Sequence, residues 1–153
     1  MKRSLLGLAA LTLVTCAAAI PSLASGSANN GRTIDLTGVM TAAKIVVDVK
    51  PAGYSAGDIG YVSGKLFELG KPVGRYHGVC FNISAASSQC SFTAGLPGGQ
   101  LLLEASYGPG FNTGKTALEP ITGGTGIYTG ARGVVRDTEV GNTGLRMHVE
   151  LLP

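Results

Sequence analysis

Leu145, Met147, Val149 and Leu151 are apolar, while Arg146, His148 and Glu150 between them are polar or charged, and this two-residue period recurs down the chain in segments bounded by Gly, Pro or Asn. A period of two places one side of an extended segment in a core and the other in solvent, as a strand does and a helix does not. No helical period is sustained beyond the N-terminal region, so the fold class is expected to be all-β. The segments are 33–40, 44–49, 59–69, 73–83, 89–94, 100–107, 117–122, 127–138 and 144–152. Leu69-Gly70-Lys71-Pro72, Leu96-Pro97-Gly98-Gly99 and Gly141-Asn142 are turn signals between them. Eight or nine sequential strands with short links predict an antiparallel up-and-down meander, whose closure into a barrel removes its exposed edges. Gly60, Gly64, Gly74 and Gly78 fall inside strands, where they suit the tight coiling of a small barrel. An eight-stranded barrel has room inside for side chains or one small ligand.

The chain starts Met1-Lys2-Arg3, continues with an uncharged apolar run over 5–20, and reaches small residues at Ser22 and Ala24. A charged start, a short apolar core and a small-residue cleavage point predict a secretory signal over 1–24, too short to span a bilayer. Cleavage is expected after Ala24, with Ala19 as the alternative. A lipoprotein signal ending at Cys16 is the third reading, disfavoured by Thr15 before the cysteine. The expected organisation is signal 1–24, a flexible lead-in 25–32 and one β-barrel domain over 33–153, secreted and not inserted in a membrane after cleavage.

Cleavage would remove Lys2 and Arg3 from twelve basic residues, leaving ten against nine acidic ones, with no basic run after the signal. That excludes nucleic acid or an anionic membrane as the main partner, since both need clustered Lys and Arg. With Cys16 in the signal, Cys80 and Cys90 remain as a pair in an oxidising compartment, and a disulfide across a hairpin around 84–88 is expected. A metal site is not expected, because no CxxC occurs and the histidines are only His77 and His148.

The stretch Ile121-Thr122-Gly123-Gly124-Thr125-Gly126-Ile127-Tyr128-Thr129-Gly130-Ala131-Arg132-Gly133 resembles the GGTG-x-aromatic-x-x-ARG signature of plant dirigent proteins and the related allene oxide cyclase-like barrels. Val73-Gly74-Arg75-Tyr76-His77-Gly78 resembles the GR-x-x-G strand of the same families. The resemblance implies an eight-stranded antiparallel barrel with an apolar lumen that binds a hydrophobic small molecule. It also implies a cofactor-free cyclisation, isomerisation or stereoselective coupling, chemistry that needs shape, a buried acid or donor and exclusion of water. A non-catalytic carrier of hydrophobic ligands and a structural extracellular barrel are the alternatives, and a homo-oligomer is compatible with either. A phosphate-loop reading of Gly123–Gly126 lacks the following Lys-Ser/Thr and helix.

Arg132 matches the signature arginine and is a candidate catalytic cation; its alternative is an ion pair with Asp137 or Glu119. Glu104, after three leucines, is a candidate general acid, or else an outer-wall carboxylate. Arg75 and His77 alternate onto one face with Val73, Val79 and Phe81, which makes them candidate ligand contacts if that face is inside. Tyr107 is a candidate hydrogen-bond donor to a ligand. Asn82-Ile83-Ser84 is a glycosylation sequon. A reaction chamber requires Arg132 to face the lumen and reach another polar side chain; an outward Arg132, or a lumen filled by aliphatic side chains, points to a structural barrel.

Overall fold

A computed structural model describes residues 31–108 and 115–153. The expected signal, its cleavage site and Cys16 lie outside the described residues, as does most of the lead-in. Eight strands are present and no helix among the described residues: β1 (Thr33–Val47), β2 (Ile59–Glu68), β3 (Lys71–Ser84), β4 (Ser87–Leu96), β5 (Gly99–Tyr107), β6 (Thr116–Gly126), β7 (Gly133–Val140) and β8 (Gly144–Leu151). Each pairs antiparallel with the next in sequence, and β1 pairs with β8 to close the barrel. The all-β, up-and-down reading therefore holds, with eight strands.

Three of the expected strands need correction. Segments 33–40 and 44–49 are one 15-residue strand, β1, whose register against β2 shifts between Met40 and Ala42 and again between Ile45 and Val47. Such bulges bend a strand without ending it, and they let one segment serve both β8 and β2 around the tight wall. Segment 127–138 begins as a turn: Tyr128, Thr129 and Ala131 donate backbone bonds to Thr125, Gly126 and Tyr128, and the strand starts only at Gly133.

The barrel has two unlike ends. One end carries the β2–β3, β4–β5 and β6–β7 turns and is filled by Ile34, Leu66, Leu96, Leu101, Ile121 and Leu151, each at most 8% exposed. Burying each such side chain contributes about 1.5–3 kcal/mol relative to leaving it exposed. The family-signature segment belongs to this end. Tyr128 and Ala131 are 2% exposed and plug it, while Gly126 takes φ +62° with the Gly98 carbonyl oxygen 2.0 Å from where a Cβ would stand. The signature is thus a device for sealing the barrel. At the other end, the segment joining β1 to β2 is held by buried Asp58, which accepts bonds from Val49 N at 2.7 Å and Ser55 N at 2.6 Å.

Candidate functional site

The lumen of the second end is an open cavity of about 740 Å³. Its walls come from inward positions of every strand, and period two decides which these are. On β3 the inward set is Tyr76, Gly78, Cys80 and Asn82; on β4 it includes Ser88, Cys90, Phe92 and Ala94. Space for the aromatic rings comes from glycine. A Cβ on Gly64 would stand 2.3 Å from Tyr76 Cε1, and one on Gly78 would stand 2.2 Å from Phe92 Cδ1. The Phe92 ring meets Tyr107 edge to face at 6.4 Å between centroids.

Cys80 and Cys90 form a disulfide between directly paired residues of β3 and β4, with Cα atoms 4.1 Å apart, and it lines the cavity. That separation is near the roughly 4.5 Å of a non-hydrogen-bonded antiparallel pair, so the bridge needs no displacement of the strands.

Three carboxyl groups face the same space: Glu119 from β6, and Asp137 and Glu139 from β7. The β6–β7 register pairs Ala117 with Asp137 and Glu119 with Val135. Glu119 and Asp137 are therefore diagonal neighbours, roughly 7–8 Å apart between strands. Glu119 is 3% and Asp137 4% exposed. Tyr107 donates a short hydrogen bond to Glu119 Oε1. Asp137 Oδ1 and the Tyr76 hydroxyl are buried with no hydrogen-bond partner among the described residues.

Burial dominates the acidity of this cluster, because removing charge from water disfavours the ionised form. It raises the Asp137 carboxyl to about 7, with the Glu119 and Glu139 carboxylates adding to the effect. Glu119 is also raised by burial, against the opposing bond from Tyr107. Tyr76 is raised to about 12 by burial and by Asp137, and Tyr107 is raised by burial and by Glu119. A neutral-pH carboxyl in an apolar chamber can take or give a proton.

Of the residues singled out in the sequence, Tyr107 lines the cavity; Cys80 and Cys90 do so as a disulfide. The others lie elsewhere. Arg132 is exposed in the turn before β7 at the sealed end, so neither the inward placement nor an ion pair with Asp137 or Glu119 is realised. Glu104 is on the outer wall, accepting bonds from Ser91 Oγ at 2.8 Å and 3.0 Å and from Gln89 Nε2 at 3.5 Å. Arg75 and His77 are exposed and border a separate hollow of about 350 Å³. Their face is the outer one because the inward positions of β3 hold Tyr and Gly, leaving Val79, Phe81 and Ile83 outside at 55%, 50% and 57% exposure. Asn82 of the sequon is buried and accepts a bond from Ser88 Oγ at 2.7 Å, so it is not presented as a glycan acceptor.

Glu119 and Asp137 entered the sequence reading only as ion-pair partners of Arg132. The signal that marks them is parity: Glu119 shares its face with Ala117 and Ile121, and Asp137 with Val135. A carboxylate on a buried parity is a site candidate.

No protein-family model matches the chain, and no curated protein does. Solved structures do. A pyocyanin demethylase is 25% identical, with 78% of this chain and 99% of that one covered at a TM-score of 0.68. A pterocarpan synthase dirigent protein is 14% identical over 82% of this chain and 97% of its own, at a TM-score of 0.66. The chain has the fold of the dirigent and cyclase-like barrels. A haem-binding cyclase that catalyses a four-plus-two cycloaddition in neoabyssomicin biosynthesis matches the same barrel at 16% identity and a TM-score of 0.65, over 80% of this chain and 66% of its own. At 14–16% identity the dirigent protein and the cyclase share the fold with this barrel; the fold alone assigns no residue a role.

Proposed function

We propose that the barrel binds a small hydrophobic molecule in its open lumen and converts it by cofactor-free proton transfer, an isomerisation or ring closure. The observation that carries this reading is the buried Glu119–Asp137 pair at the wall of an otherwise largely apolar cavity. Asp137, with a carboxyl raised to about 7, removes a proton from the bound molecule. Glu119, joined to Tyr107, returns a proton at a second position, so no atom or electron is gained or lost overall. Apolar surroundings strengthen both steps by keeping water from competing. Tyr107 is the one polar residue of the original candidate set that enters this scheme. The leader-like N terminus and the Cys80–Cys90 disulfide support action outside the cytoplasm.

The outward Arg132 favours a structural barrel, but the lumen is not filled by aliphatic side chains, and a buried carboxyl oxygen and tyrosine hydroxyl without partners are costly to keep for structure alone. The test is native mass spectrometry of secreted protein to recover a bound molecule, followed by its incubation with the protein in deuterated water. Deuterium entering the molecule with intact protein, and not with Asp137→Asn, is expected. A bound molecule that returns unlabelled and unchanged makes the barrel a carrier; an empty lumen under all conditions leaves the structural reading.

A further inference from the structure

We propose that the ligand of this lumen carries a protonated or permanently cationic nitrogen on an apolar body, with the nitrogen seated at the Asp137 carboxyl. The inference rests on the ligand-binding reading above and specifies its substrate class.

The groups facing Asp137 can be counted by strand. Glu119 comes from β6, Glu139 from its own strand, Tyr107 from β5 and Tyr76 from β3, while β8 contributes Leu145 and Met147. Among the described lining residues the only cation is Lys44, exposed on β1. Two buried carboxyls, with half-buried Glu139 beside them, thus share a compartment whose buried part holds no cation among the described residues. The buried pair ionises only at a cost, since each charge opposes the other and both have lost water. A ligand cation reverses that cost, and an anionic ligand adds to it.

Hydrogen bonding points the same way. Asp137 lines the chamber, and its Oδ1 is a buried acceptor without a donor among the described residues, on a residue that is 4% exposed. The Tyr76 hydroxyl is likewise unpartnered on a residue 5% exposed. An ammonium supplies donors to the first, and the aromatic rings of Tyr76, Phe92 and Tyr107 line the same cavity, where a ring face can attract a cation. Binding a cation would also expel the proton that Asp137 holds near neutrality, so affinity must rise with pH.

The experiment uses three fluorescent probes of one shape: 1-naphthylmethylamine (cationic), 1-naphthalenemethanol (neutral) and 1-naphthoic acid (anionic). Each is titrated into the disulfide-intact protein at about pH 5 and about pH 8. At the higher pH the amine is expected to bind about tenfold or more tightly than the alcohol, as a charge-assisted bond to a buried carboxylate requires, and the acid more weakly than either. The amine's advantage should shrink at the lower pH, and Asp137→Asn should abolish it while the alcohol still binds. The pH comparison needs no variant, so a misfolded Asp137→Asn protein leaves the test standing. Equal binding of amine and alcohol at both pH values, or preference for the acid, overturns the cation proposal and leaves the hydrophobic lumen reading intact. Binding of none of the three removes both.

Discussion

The Tyr76 ring lies against Gly64 of the neighbouring strand so closely that a single methyl group there would stand 2.3 Å from Cε1 and 2.5 Å from the Val39 carbonyl oxygen. The backbone oxygen cannot turn aside, and the ring has no room to retreat without entering the cavity. Gly64→Ala is therefore expected to lower stability by about 1–3 kcal/mol, the usual effect of overpacking. Equilibrium denaturation checks this, and an unchanged midpoint would show that the ring moves freely.

Stability should depend on pH through Asp137. Its carboxyl is raised in the folded state to about 7 from an ordinary 3.8. The folded protein thus holds this proton more tightly than the unfolded chain. The stability contributed is fully present below about pH 4 and is lost as pH rises to about 7, by up to about 4 kcal/mol for a shift of this size. Glu119 acts in the same direction. Asp58, whose carboxyl is lowered chiefly by the backbone bond from Ser55, acts oppositely and loses its contribution in acid. Asp137→Asn should flatten the decline between about pH 4 and pH 7 in thermal melts. A decline of unchanged slope in the variant would refute the assignment.

Tyr107→Phe removes the hydroxyl that holds Glu119. Since that bond is what opposes burial, the Glu119 carboxyl should titrate at higher pH in the variant, read by carbon NMR of labelled glutamate. The folded state should also lose about 1–3 kcal/mol, the cost of leaving a buried acceptor unpaired.

Arg132→Ala is expected to change stability by less than about 0.5 kcal/mol, because the side chain is exposed. The Arg132 carbonyl accepts a hydrogen bond from Leu152 N at 2.8 Å, a backbone bond that survives the substitution. Probe binding in the lumen should be unaltered. A large loss of binding would return Arg132 to the site.

Thiol labelling of unreduced protein should find neither Cys80 nor Cys90 free. Replacing both by serine should cost about 2–4 kcal/mol, since the unfolded chain regains the freedom of the closed loop.

The strand order and closure were legible because alternation and turn residues are local, and each connection joins strands that are neighbours in the barrel. The join between residues 40 and 44 was not, since a bulge resembles a break when the apolar period slips. The site was harder to read for a related reason. Which face of β3 is inside is settled by strands β2 and β4, not by β3 itself, whose outer face carries more aliphatic bulk than its glycine-bearing inner one. Arg132 drew attention through a motif whose buried members, Tyr128 and Ala131, serve closure, while Glu119 and Asp137 lie in no motif at all.

Because one end of the barrel is sealed by Leu66, Leu96, Leu101 and Tyr128, the chamber formed by the described residues is a cup that opens at the other end. Whatever goes in must leave by the route it entered. If the barrel converts its ligand as proposed, substrate and product cannot queue through such a vessel from opposite sides, so the product occupies the very place its successor needs, and inhibition by product should be competitive. Any part of a molecule too long for the cup must protrude at the rim, where a bulky tail would hang in solvent without disturbing the chemistry beneath it.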